Sequence, residues 1–174
     1  MELTSFIRDV EDFPKAGVTF KDISPLLADA VALKEAVEQL STPFLGSRVN
    51  VVAGIEARGF IFGSLVAQRL NVGFVPIRKP GKLPADVIGV DYDLEYGSDR
   101  LEMHRDSVDE TSHVLLVDDV LATGGTLEAA LQLLRSTEAT VVGVSVLIDL
   151  VALGGSATIG NGGSTLLHSV LEVN

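Results

Sequence analysis

His113-Val114-Leu115-Leu116-Val117-Asp118-Asp119-Val120-Leu121-Ala122-Thr123-Gly124-Gly125-Thr126 sets apolar, acidic, small and hydroxyl residues in one fixed order. Residues 114–117 form the short apolar run that a strand buried on both faces needs. Leu127-Glu128-Ala129-Ala130-Leu131-Gln132-Leu133-Leu134 then switches to helical spacing. The intervening turn therefore opens a helix, whose unpaired N–H groups and positive dipole end suit an anion. Glycines let a phosphate approach the backbone, and Thr123 and Thr126 add hydroxyl donors. Asp118 and Asp119 would repel that phosphate; at a strand's carboxyl end they fit sugar hydroxyls or Mg²⁺. Ribose 5-phosphate is the simplest ligand with both needs.

Other readings of the run fail on what the chain lacks. Apolar residues followed by Asp-Asp occur in Walker B strands, but no G-x-x-x-x-G-K-[ST] loop accompanies them, and no G-x-G-x-x-G fingerprint exists either. The 174 residues, 47% hydrophobic, are sufficient for one domain with a real core. Zero Cys and a non-basic, non-apolar start predict a cytoplasmic protein, and no apolar run is long enough to span a membrane. A net charge of −11, with no Trp and two Tyr, argues against nucleic acid as a partner.

Apolar runs alternate with helical segments, predicting an α/β fold with an open, mainly parallel sheet flanked by helices. Helices are expected over 29–40 and 59–70. Strands are expected over 49–53, 74–78, 101–104, 114–117 and 141–148. Between 79 and 100 the pattern breaks into Pro80, Gly81, Pro84, Gly89 and Gly97, and a connector that long reads as a flexible lid. Beyond Asp149 a glycine-rich loop is expected, followed by an edge strand over 166–171.

A second strand end carries Gly54-Ile55-Glu56-Ala57-Arg58-Gly59-Phe60. Ligands of open α/β sheets sit beyond the carboxyl ends of the strands, so Arg58 and the Asp118 turn are expected to meet across one crevice. A cation opening a helix opposes the dipole and needs another reason to be there. Arg78-Lys79-Pro80-Gly81-Lys82 gathers three of thirteen cations after a further strand, which suits pyrophosphate. His104, His113 and His168 have no metal-ligand spacing.

These residues carry a likeness. The Val-Asp-Asp-Val-Leu-Ala-Thr-Gly-Gly-Thr run resembles the phosphoribosyl pyrophosphate motif of type I phosphoribosyltransferases. Residues 13–27, 54–60, 78–84 and Leu94-Glu95-Tyr96-Gly97 are similar to the adenine phosphoribosyltransferase branch, in order, from residue 6 to about 150. The sequence departs from that pattern at Ala16, at Asp149, where the family has glutamate, and after Leu150.

The resemblance implies a single domain over 1–174, with residues 1–28 as an N-terminal hood and 79–100 as the lid. It implies transfer of the phosphoribosyl group of phosphoribosyl pyrophosphate to adenine, giving AMP and pyrophosphate, with Mg²⁺ carried by the donor and no direct protein ligand. Asp118 and Asp119 would hold the ribose, and Ala122, Thr123, Gly124, Gly125 and Thr126 the 5-phosphate. Arg58, Lys79 and Lys82 would face pyrophosphate. Thr19, Phe20 and Lys21 would cover adenine, Glu95 and Tyr96 would belong to the lid, and Glu95 would assist proton movement. The chain would form a homodimer. Two rivals remain: another purine specificity, and a non-catalytic sensor of the donor, which would not need the basic loop and lid motif.

Overall fold

The computed structural model describes residues 1–94, 97–160 and 165–174. In chain order the elements are β1 (Arg8–Val10), β2 (Phe20–Asp22), α1 (Ser24–Ala28), α2 (Ala30–Ser41), β3 (Val51–Ile55), α3 (Arg58–Leu70), β4 (Gly73–Ile77), β5 (Val87–Leu94), β6 (Gly97–His104), β7 (His113–Leu121), α4 (Gly125–Arg135), β8 (Thr140–Leu150), α5 (Gly155–Gly160) and β9 (Leu166–Val173). Five strands form one parallel sheet in the order β4-β3-β7-β8-β9. The two motif-bearing strands, β3 and β7, are therefore neighbours, and their carboxyl ends lie side by side.

Both faces of the sheet are covered, which is why Leu115, Leu116 and Val117 can follow one another with no exposed surface. On one face α1, α2 and α3 bury Leu26, Val37, Leu40, Phe62 and Val66 against Val52, Leu115 and Val117. On the other, α4 buries Leu127, Leu131 and Leu134 against Ala53, Leu116 and Val144. Asp29 starts α2 by accepting 2.9 Å bonds from the Val31 and Ala32 amides, a side-chain cap for the helix's orphan donors.

Two expectations are corrected. Val87–Leu94 and Gly97–His104 pair as an antiparallel two-stranded sheet, β5 and β6, separate from the main sheet, rather than forming an irregular loop with a short strand over 101–104. Ile88, Val90 and Tyr92 pack on the α4-side core, so period-two spacing beats the loop signal of the scattered glycines. Within residues 1–28, β1 and β2 pair as a small sheet, and Leu3, Ile23 and Leu26 are buried in the core. After Leu150 the chain makes a 3₁₀ turn over Val151–Leu153 and the short α5 before the edge strand β9.

Candidate active site

The carboxyl ends of β3 and β7 open onto a cavity of about 420 Å³. Glu56, Ala57, Arg58 and Lys79 line one side; Asp118, Asp119 and residues 120–127 line the other. The turn Ala122–Gly124 leads into α4, and Gly124 adopts φ +89°, a left-handed conformation that costs a glycine nothing. The turn and the first residues of α4 line the same cavity as the carboxylates, and a helix start beside carboxylates is the juxtaposition that a phosphorylated sugar requires.

β7 runs through the aspartates to Leu121, further than the expected 114–117. Asp119 is almost fully buried and pairs with Arg58, whose Nε lies 2.7 Å from Oδ2. Asp118 is half-buried and accepts the Asp119 amide at 2.9 Å. Burial pushes the Asp118 carboxyl well above the ordinary range, and the neighbouring Asp119 charge pushes the same way. Burial also raises Asp119, against the opposing pull of Arg58. Gly59 permits this closeness: a Cβ there would stand 2.7 Å from Asp118 Oδ1 and 3.2 Å from the Val117 carbonyl oxygen.

Arg58 opens α3, and its guanidinium lies 5.1 Å from the centroid of the Phe20 ring. This stacking brings the N-terminal segment to the site. The expected adenine-facing residues thus separate. Phe20 reaches Arg58, whereas Lys21 points to Asp9, with Nζ donating 2.8 Å bonds to both carboxylate oxygens, and Thr19 is exposed. None of Thr19, Phe20 and Lys21 lines the cavity itself; Phe20 approaches it only through Arg58.

The basic turn separates too. Lys79 lines the cavity, while Lys82 is exposed outside it and presents its carbonyl to Arg78 Nη1 at 3.2 Å. Arg78 is a structural cation: Nε donates to Glu56 Oε2 at 2.8 Å, and the same oxygen accepts the Lys79 amide at 3.0 Å. Glu95 and Tyr96 lie outside the described residues. Among the described residues no three His, Cys, Asp or Glu side chains gather to hold a metal ion.

Sequence reasoning missed several contributors. In sequence Glu56 is only one residue of a glycine-flanked turn, yet it anchors the basic turn. The α5 segment braces the phosphate turn: Thr158 Oγ1 donates to the Thr123 carbonyl at 3.1 Å, and a Cβ on Gly155 would sit 2.3 Å from the Ala122 carbonyl oxygen. Gly-Gly at 154–155 after a strand was the available signal, but nothing local says which turn it will meet. We expect Gly155→Ala to weaken AMP binding at least about tenfold by displacing that turn, whose backbone cannot yield without losing amide geometry. Titration of AMP against the variant checks this; wild-type affinity would show that the brace is dispensable.

The comparisons agree with this geometry. Residues 10–153 match the family model of the phosphoribosyl transferase domain. The chain is 55% identical over 172 residues to an adenine phosphoribosyltransferase of Rhodopirellula baltica, covering 99% of this chain and 82% of that one. With the Thermobifida fusca adenine phosphoribosyltransferase it shares 56% identity over 150 residues, 86% of this chain and 85% of the other. Among solved structures, the adenine phosphoribosyltransferase of Thermoanaerobacter pseudethanolicus superposes with a TM-score of 0.94 at 44% identity, covering 99% and 98% of the two chains. That of Giardia lamblia, complexed with 9-deazaadenine, gives 0.92 at 37% identity over 99% and 97%. With a carboxylate pair, a glycine turn at a helix start and an arginine around one cavity, and with half its residues shared with such relatives, this chain belongs to the adenine phosphoribosyltransferases of the phosphoribosyl transferase family.

Proposed function

We propose that the chain transfers the phosphoribosyl group of phosphoribosyl pyrophosphate to adenine, releasing AMP and pyrophosphate, as in purine salvage. The observation that carries this reading is the shared cavity, in which Asp118, Asp119, Arg58, Lys79 and the Ala122–Thr126 turn face one another. The turn takes the 5-phosphate, and the aspartates accept bonds from the ribose hydroxyls. Adenine N9 bonds to C1 of the ribose as the C1–oxygen bond to pyrophosphate breaks, its electron pair leaving with the pyrophosphate and the N9 proton leaving the base.

Positive charge grows on the sugar and negative charge on the departing oxygens, so cations belong on the leaving side. Arg58 and Lys79, which both line the cavity, take that role in this reading, and Phe20, whose ring lies 5.1 Å from the Arg58 guanidinium, supplies an aromatic surface for the base. The donor enters as its Mg²⁺ complex, in which the metal offsets phosphate charge; the hard carboxylate oxygens of Asp118 and Asp119 suit hydroxyls or metal-bound water. Proton movement at adenine is assigned by resemblance to Glu95, with Tyr96 beside it in the lid. Lys82 approaches pyrophosphate only if the basic turn shifts, and Thr19 and Lys21 act on adenine only by reorienting. A cytoplasmic homodimer completes the reading. No helix among the described residues is long and apolar enough to cross a membrane.

The test is incubation with Mg²⁺, phosphoribosyl pyrophosphate and one base at a time. AMP from adenine, with no nucleotide from hypoxanthine, guanine or xanthine, is the expected result. Nucleotide from another purine instead would reassign the base, and donor binding without turnover on any base would make the chain a sensor.

A further inference from the structure

Lys79 is the one cation of the basic turn that lines the cavity, yet its ammonium is already engaged. Nζ donates to the Asp99 carboxylate and, at 2.9 Å, to the Tyr92 hydroxyl, and lies 5.5 Å from the centroid of the Tyr92 ring. The hydroxyl is itself 3.3 Å from the same Asp99 oxygen. Tyr92 and Asp99 are register partners across the hairpin, so β5 and β6 present both groups to Lys79 together. Burial works to lower the Lys79 pKa, but the bonds to Asp99 and Tyr92 outweigh it and the value is raised. The Lys79 bond is in turn the main cause holding Asp99 below the ordinary carboxylate range.

The hairpin does not need this contact to stay rooted. Arg78 and Glu102 exchange 2.8 Å backbone bonds in both directions, and Glu102 Oε2 accepts the Gly81 amide at 3.1 Å. Arg100 is held on other carboxylates, with Nε on Glu102 at 3.0 Å and Nη1 on Asp91 at 3.0 Å. Asp99 is thus an anion set against a cavity-lining cation whose expected ligand is also an anion. A polyphosphate and a carboxylate drawn to the same ammonium repel each other, so binding the polyphosphate works against the Asp99 contact.

We propose that Asp99, with Tyr92, is an internal competitor for Lys79: its carboxylate occupies the ammonium in the free protein and is displaced by pyrophosphate, so that Asp99 sets the affinity for the donor's leaving group. The inference rests on the reading of Lys79 as facing pyrophosphate. An affinity measured against such a competitor is reduced by the fraction of molecules in which Lys79 is available; if that fraction is about one in ten, the dissociation constant is about tenfold weaker than the bare site would give. Asp99 is a positioning residue here and touches no reacting atom.

Removing the charge while keeping the shape isolates the effect. Isothermal titration of pyrophosphate with Mg²⁺ into Asp99→Asn is expected to show binding about three- to tenfold tighter than wild type. AMP, which lacks the leaving group, is expected to bind both proteins equally. In steady state the KM for phosphoribosyl pyrophosphate falls and that for adenine does not. Weaker or unchanged pyrophosphate binding by Asp99→Asn would overturn the proposal, as would equal tightening for AMP, which would mark a general gain from one less negative charge. Lys79→Ala tests the underlying reading separately. Unchanged pyrophosphate affinity in that variant would remove Lys79 from the leaving-group side, whatever Asp99→Asn does.

Discussion

Arg58→Ala is expected to lower kcat at least about tenfold, the low end of what a preorganised group facing developing charge supplies. The guanidinium is held from two sides, by Asp119 at 2.7 Å and by the Phe20 ring at 5.1 Å, so it does not have to be organised during the reaction. Its position at the start of α3 places it next to the aspartates and across the cavity from the amide turn. Arg58→Lys should recover part of the loss, because it keeps the charge but not the planar fork. Steady-state kinetics at saturating donor and base check both variants. Unchanged turnover in Arg58→Ala would remove it from the leaving-group role, and its unfolding temperature should fall, because Asp119 is left buried without its cation.

The aspartate pair should give an effect of similar size but opposite character. Asp118→Asn with Asp119→Asn is expected to weaken donor binding by about tenfold or more, since hydrogen bonds to charged groups contribute about 1.5–3 kcal/mol each. Wild-type donor affinity in the double variant would contradict the ribose assignment. Asp118→Asn alone should raise stability at neutral pH. The folded pKa of Asp118 lies above the ordinary value, so the fold disfavours its ionised form. That penalty is absent in acid below the ordinary carboxylate pKa of 3.8 and grows as pH rises through the raised value. If the relief is about 1 kcal/mol, the unfolding temperature rises by about 2–4 °C near neutrality, and the gain vanishes in acid. A variant less stable than wild type at pH 7 would show that the charge is compensated in the free protein.

Sequence alone carried far where chemistry and periodicity coincide. Asp118, Asp119 and residues 122–126 stand where strand, acid pair and glycine turn put them, and Arg58 meets them because β3 and β7 are adjacent. The helix expected over 29–40 is α2, which spans Ala30–Ser41 because Asp29 serves as its cap rather than its first turn and the helix runs one residue further at its end. The hairpin was illegible because Pro80, Gly81, Pro84 and Gly89 masked the spacing of Ile88, Val90 and Tyr92. Which ends of the basic turn reach the cavity was equally hidden. Arg78, Lys79 and Lys82 look alike in one dimension, but Glu56 takes Arg78, only Lys79 lines the cavity, and Lys82 stays outside. The same holds for Lys21, whose partner Asp9 lies across a strand pair that the sequence did not announce.

The brace that α5 puts behind the phosphate turn has a consequence for biosynthesis. Among the described residues every side chain that lines the cavity lies between 55 and 127, so all of them leave the ribosome before residues 155–158, which back that turn, and before β9, which pairs with β8. A nascent chain therefore carries these side chains before residues 155–158 and β9 are made to back the turn, and on the proposed reading full phosphate affinity is expected only once β9 has formed.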